Sequence, residues 1–169
     1  LVGEILARFE KVGLRIAGMK AVQIDKEHAL KHYGQTEDWF TKVGARVKEF
    51  YQKTGFDPGE ELSKLSEYEI GKRVQTWNID YLTEGMVVAV VLEGPHAVHV
   101  VRKFVGSTYP SEAAPGTIRG DFAHIDSPLT SNIGKRSVRN LVHASGTPEE
   151  AKFEIELWFK NEELLKRNK

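Results

Sequence analysis

The 169-residue sequence predicts an α+β fold, a ferredoxin-like βαββαβ antiparallel sheet with helices on one face plus inserted helices. Three observations predict it. Apolar residues recur at helical spacing in Leu1 to Phe9 and again in Trp39 to Phe50, and two β-friendly runs, Leu14 to Ile24 and Met86 to Leu92, have the length of strands. The visible order is helix, strand, helices, strand, helix, loop, strand, helix, which completes βαββαβ when one strand stands in front.

Each element has its own signal. Leu1, Val2, Ile5, Leu6 and Phe9 share a helical face and Gly13 follows as a stop, predicting a helix over 2–12. The stretch from Leu14 to Ile24 is partly alternating and reads as a strand, and Asp25 is placed to cap a helix over 26–33. Between Tyr33 and Tyr81 the pattern is helical. Trp39, Phe40, Val43, Val47 and Phe50 form one face there, Phe56-Asp57-Pro58-Gly59 marks a turn, and two or three helices are expected. Met86 to Leu92, rich in Val and Ala, predicts a fully buried strand, and Pro95 starts a helix over 95–105. Residues 106–137 carry Gly, Pro, Ser and Thr throughout and read as a long loop, a kind of segment that is commonly functional. Val138 to Val142 predicts a short strand, Thr147 with Glu150 a capped helix over 148–157, and Glu162 to Leu165 a last turn.

Composition narrows the function. Lys plus Arg and Asp plus Glu are 24 each, so the chain lacks the basic footprint of a nucleic-acid binder. Lys135-Arg136 and Lys166-Arg167 are the support for that reading, and no specific nucleic-acid partner is expected. With no Cys, disulfides, thiolate zinc sites and cysteine nucleophiles are excluded, and a cytoplasmic protein is expected. The longest apolar run, Met86 to Leu92, is well short of the roughly 20 residues of a spanning helix, so no membrane partner is expected. The opening segment is amphipathic and acidic, unlike a secretory signal.

Common phosphate-binding motifs, G-x-x-x-x-G-K-[ST] and G-x-G-x-x-G, are absent. His143 stands among small residues in Arg139-Asn140-Leu141-Val142-His143-Ala144-Ser145-Gly146. It reads either as a nucleophile, which divides one transfer into two through a covalent intermediate, or as a satisfied strand-end histidine. Pro115-Gly116-Thr117-Ile118-Arg119-Gly120-Asp121-Phe122 sets an Arg between glycines in an exposed loop. That suits phosphate oxygens and equally suits a turn with a local Arg119–Asp121 pair. Arg102, near the end of its helix, adds a cation and Thr108 a hydroxyl. His28, His32, His96, His99 and His124 form no ligand set, so no protein metal site is expected. Arg119-Gly120-Asp121 as an adhesion tripeptide lacks any secretory feature beside it.

Leu1 to Glu10, His32-Tyr33, Val87 to Gly94, Val101-Arg102-Lys103, Glu112 to Phe122, Arg139 to Ser145 and Glu154 to Phe159 together resemble the nucleoside diphosphate kinase family. The resemblance runs from Leu1 to about Leu165. It implies that His143 takes the γ-phosphate of one nucleoside triphosphate as phosphohistidine and passes it to a diphosphate in a ping-pong mechanism. Glu154 then holds the other ring nitrogen and Tyr33 stands beside the nucleophile. Arg102, Thr108 and Arg119 match phosphate-binding positions, and Asn140 matches a contact to the sugar. The implied ligands are ATP and other nucleoside di- and triphosphates with Mg²⁺ bound through their phosphates, and the implied assembly is a homo-oligomer, a tetramer or hexamer. A non-catalytic nucleotide-binding or regulatory relative is the alternative.

The sequence departs from the family in three ways. The family's first strand, with its Lys-Pro-Asp-Gly segment and phosphate-reaching lysine, is expected to precede Leu1, so the native product is expected to begin earlier. A single domain over 1–169 is expected to carry a helical insertion at about 34–70 and a loop insertion at about 123–137. The register leaves Val74 or Trp77 as the residue that stacks on the base. Gly146 stands where many members have an acidic residue.

Overall fold

The computed structural model describes residues 1–34, 36–55, 57–123 and 126–165. The expectations placed on Phe56, His124 and Lys166-Arg167 lie outside the described residues. The chain forms two compact units. The first comprises Leu1–Gln23, Gly85–Ile125 and Asn140–Lys169, and the second Ile24–Glu84 with Asp126–Arg139.

The first unit begins with α1 (Val2–Glu10), whose Phe9 is buried, and β1 (Arg15–Val22). β1 pairs antiparallel with β2 (Val87–Glu93), from Arg15 opposite Glu93 to Val22 opposite Val87. The register shifts between Ile16 and Gly18, leaving Ala17 as the extra residue of a bulge. These two strands form the sheet among the described residues. β2 is half-buried along its whole length rather than fully buried, as befits a strand with a ladder neighbour on one side. Then come α6 (Ala97–Val105), α7 (Ile118–Phe122) and α9 (Pro148–Trp158). Pro95 lies ahead of α6, and His96 caps it in a left-handed conformation, φ 54°. Phe9, Leu14, Val105 and Ile118 are the buried core, with Ile5, Leu92, Val101, Phe104 and Val142 packed on it.

The second unit holds α2 (Lys26–His32), α3 (Glu37–Thr54), α4 (Gly59–Ser63), α5 (Glu67–Thr83) and α8 (Pro128–Ile133). Asp25 caps α2 as expected, accepting the His28 N–H at 2.8 Å. Ser66 starts α5 with a reciprocal capping box through Glu69. The buried stripe of α3 is Phe40, Gly44 and Tyr51, whereas Trp39, Val43, Val47 and Phe50 are half-buried. The seam is set by backbone approach. A Cβ on Gly44 would stand 1.8 Å from the Glu67 carbonyl oxygen, and one on Gly71 2.1 Å from that of Phe40. Glycine at both crossing points is what lets α3 and α5 touch main chain to main chain.

Two expectations are corrected. Residues 106–137 are not one loop: they contain a 3₁₀ turn at Pro110–Glu112, α7 and α8. Thr117 caps α7 by accepting from Gly120, and Ser127 caps α8 in a box with Thr130, so local side-chain bonds supply the order that apolar periodicity does not. Val138 to Val142 is not a strand. Leu141 has φ 69°, and the Val142 N–H donates to the Asn140 carbonyl at 2.8 Å. This closes a three-residue turn in a region disfavoured for leucine, which ends any extended run.

Candidate active site

His143, Glu154, Arg102, Thr108, Arg119 and Asn140 fall in the first unit, whereas Tyr33 and the two base-stacking candidates, Val74 and Trp77, fall in the second. His143 follows the Leu141 turn, and its Nε2 lies 2.9 Å from Glu154 Oε1. Glu154 is on α9, which Thr147 caps by accepting the Glu150 N–H at 3.1 Å. Glu150 does not return the bond to Thr147; its carboxylate accepts from the Gly146 N–H at 2.7 Å. This places Gly146 at the start of the helix that carries Glu154. The imidazole side chain is 44% exposed and the Glu154 side chain 17%, so the ring faces solvent while its carboxylate is covered. The second oxygen of Glu154 accepts from Ser145 Oγ. Sequence reading missed Ser145 as a site residue. Its position two residues after His143 was visible, but its partner is fixed only by how α9 packs.

Arg119 is not in an exposed loop. It lies in α7 and is buried, 5% exposed. Its guanidinium donates to the carbonyls of Gly106 at 3.2 Å, Ser107 at 2.9 Å and Val142 at 2.6 Å. Nor does it pair with Asp121, which binds Arg8 at 2.7 Å and accepts the Gly116 N–H at 2.8 Å. That N–H first, and then the Arg8 guanidinium, hold the Asp121 carboxyl below its ordinary pKa. Arg119 is buried and Gly120 sits against the Ala114 carbonyl, 2.2 Å from where a Cβ would stand, so of Arg119-Gly120-Asp121 only Asp121 is exposed, and the three are no displayed tripeptide. Arg119 thus ties the stretch after α6 to the residue before His143.

Arg102 is exposed, with Nη1 3.5 Å from the Ala144 carbonyl. Asn140 Nδ2 donates to the Thr108 carbonyl at 3.3 Å, which joins the Asn140 segment to the loop that carries the threonine. The arrangement is one carboxylate-oriented histidine with two guanidiniums, a hydroxyl and an amide on neighbouring segments. Tyr33, in the second unit, ends α2; its carbonyl accepts from Gln75 Nε2 at 2.6 Å and its ring meets His32 edge-on at 4.7 Å. That unit also holds a cavity of about 300 Å³ lined by Trp77, Tyr81, Glu84, Arg136 and Arg139 among others, and Val74 is not in its lining.

An α+β scaffold presenting such a histidine beside cationic and amide donors has the parts of an enzyme that carries an anionic group on imidazole. The comparisons give the class its family. The model of the nucleoside diphosphate kinase family matches residues 1–54 and 59–164. The nucleoside diphosphate kinase of Pyrobaculum aerophilum is 44% identical over 165 residues, covering 98% of this chain and 90% of its own. The crystal structure of an NDP kinase from that organism superposes with TM-score 0.93 at 42% identity, over 98% of this chain and 91% of the other. A transition-state mimic of nucleoside-diphosphate kinase from Borrelia burgdorferi, with bound vanadate and ADP, gives 0.76 at 31% identity over 100% and 83%. The chain belongs to the nucleoside diphosphate kinase family, and its fold is that family's ferredoxin-like one.

Proposed function

We propose that His143 is the histidine through which this protein moves the γ-phosphate of a nucleoside triphosphate to a nucleoside diphosphate. The observation that carries the reading is the 2.9 Å contact of Nε2 with Glu154. With the ring proton on Nε2 facing the carboxylate, the lone pair of neutral imidazole is on Nδ1. Nδ1 attacks the γ-phosphorus. The Nδ1–P bond forms as the bond from phosphorus to the β-phosphate oxygen breaks, and the diphosphate leaves with that electron pair. A second diphosphate then attacks the phosphohistidine with a terminal oxygen and restores the ring, a ping-pong sequence at one site. Glu154 stabilises the positive charge the ring gains, and Ser145 keeps that carboxylate aimed.

In this reading Arg102, Thr108 and Arg119 hold the phosphates, Asn140 the sugar, and Tyr33 is the further catalytic side chain. Mg²⁺ arrives on the nucleotide phosphates as part of the substrate. Both oxygens of Glu154 are engaged by His143 and Ser145, and guanidinium, hydroxyl and amide groups suit phosphate better than a cation. When bound, the ion spreads the phosphate charge. The chain works as one kinase domain, with 34–70 and 126–137 of its insertions in the second unit. We propose a homo-oligomer, a tetramer or hexamer, supported by exposed Val2, Met19, Met86 and Phe153 on the first unit. Among the described residues no helix is long and apolar enough to cross a membrane, and a cysteine-free chain suits work in the cytoplasm.

Labelled ATP with Mg²⁺ tests the site. Wild type should yield an acid-labile, base-stable phosphoenzyme, and His143→Ala should lose label and phosphate exchange by at least about a thousandfold while binding nucleotide within a few-fold. Label retained on the variant at another residue would reject His143 as the carrier.

A further inference from the structure

We propose that Arg8, on α1, is a positioning residue for phosphoryl transfer, fixing the 116–122 segment that carries Arg119. One guanidinium makes three separate contacts with that segment. Nη2 lies 2.7 Å from Asp121 Oδ2, Nη1 donates to the Gly116 carbonyl at 3.2 Å, and the guanidinium carbon stands 4.6 Å from the centre of the Phe122 ring. Asp121 closes the figure by accepting the Gly116 N–H. Residues 116, 121 and 122 bracket Arg119, whose own bonds end on Gly106, Ser107 and the Val142 carbonyl next to His143.

The physical case is one of orientation. An isolated ion pair at a half-exposed position contributes little, but a planar fork bound at a carboxylate, a carbonyl and a ring face defines a plane as well as a distance. The fork is mounted on a helix anchored in the core by Phe9, 4% exposed. A lysine keeps the charge opposite Asp121 and gives up the planar fork. The inference rests on the reading of His143 and Arg119 given above, and it assigns a role to a side chain that touches neither substrate nor reacting atoms.

Rapid-quench phosphorylation by labelled ATP and Mg²⁺ tests it in the full chain. In Arg8→Met the single-turnover rate should fall about tenfold, while the dissociation constant for ADP changes less than about threefold, because misplacement is felt at the transferring phosphate. Asp121→Asn should show a loss of the same size, the double variant about the same loss as either single one, and Arg8→Lys a partial recovery. A rate within about twofold of wild type in a folded Arg8→Met or Asp121→Asn overturns the proposal. So do losses that multiply in the double variant, or a changed oligomer size with an unchanged rate per subunit. Should Arg8→Met fail to fold, Asp121→Asn and Arg8→Lys carry the test. A wild type that takes no label on His143 defeats the reading of the site itself, whereas a labelled wild type with unaltered variants defeats the anchoring role alone.

Discussion

Arg119 shows how one side chain serves geometry and charge together. Its bonds to three carbonyls hold Val142, one residue past the left-handed Leu141 and one before His143. The unfavourable φ of Leu141 is kept by these surroundings, as strain at functional sites commonly is. Lysine at 119 retains the charge and reaches fewer of the three oxygens. Arg119→Lys should therefore lower kcat by about tenfold and Arg119→Ala by about a hundredfold or more, read in a phosphate-exchange assay. Equal activity in all three forms would remove Arg119 from the site. Much of this scale was legible in the sequence: His143, Glu154, Arg102 and Asn140 stand in segments that carry the family resemblance, Thr108 lies between two of them, and all five occur in the same unit. The burial of Arg119 and the part played by Ser145 were not. Both depend on which carbonyls and carboxylates the folded chain delivers to them, and no spacing along the sequence encodes that.

At the scale of elements, the α3–α5 crossing makes a sharp forecast. A methyl group at Gly71 would meet the Phe40 backbone, which has no rotamer by which to yield. Gly71→Ala should cost at least about 2 kcal/mol in a denaturation experiment, as overpacking does. A second forecast concerns Asp126, whose covered carboxylate binds both Arg136 Nη atoms, Thr130 Oγ1 and the Arg139 N–H. Burial pushes its pKa up, yet the bonds from Arg136, Thr130 and Arg139 outweigh it and hold the carboxyl far below the usual range. The unfolded chain, with a carboxyl near pH ~3.9, binds the proton more readily than the native one, so stability from this group is complete above that pH and is lost as pH falls below it. Asp126→Asn should remove that acid-side slope and cost about 2 kcal/mol at neutral pH, by chemical denaturation at both pH values. Helices with a stripe, such as α1, or with a side-chain cap, such as α2 at Asp25 and α9 at Thr147, were readable from sequence. α7 and α8 were not, being too short for periodicity, although Thr117 and Ser127-Pro128 were visible as starts. The expected strand at 138–142 fails because a single tertiary clamp overrides the β preference of its valines.

For the whole molecule, assembly is the open measurement. Sedimentation at micromolar concentration should give a tetramer or hexamer, and a monomer would refute that proposal. The helical insertion does not detach cleanly: removing 36–66 would strip Phe40 and Gly44 from α5 and bare Ile70, buried to 2%, so a shortened variant needs a resurfaced α5. The bulge at Ala17 has a consequence of another kind, in the order of synthesis. Its carbonyl accepts the Leu165 N–H at 2.7 Å, and Lys20, three residues on, meets Glu163 at 2.8 Å and the Phe159 ring at 4.9 Å. This strand is thus completed by residues the ribosome adds long after it, at a pace of roughly 5–20 residues per second. Helices α2 to α5, contiguous in sequence, emerge as a set and are able to pack while the nascent chain still grows. The first unit, interrupted twice in sequence, closes only once Leu165 has emerged to meet Ala17, so its site is assembled later than the packed helices α2 to α5.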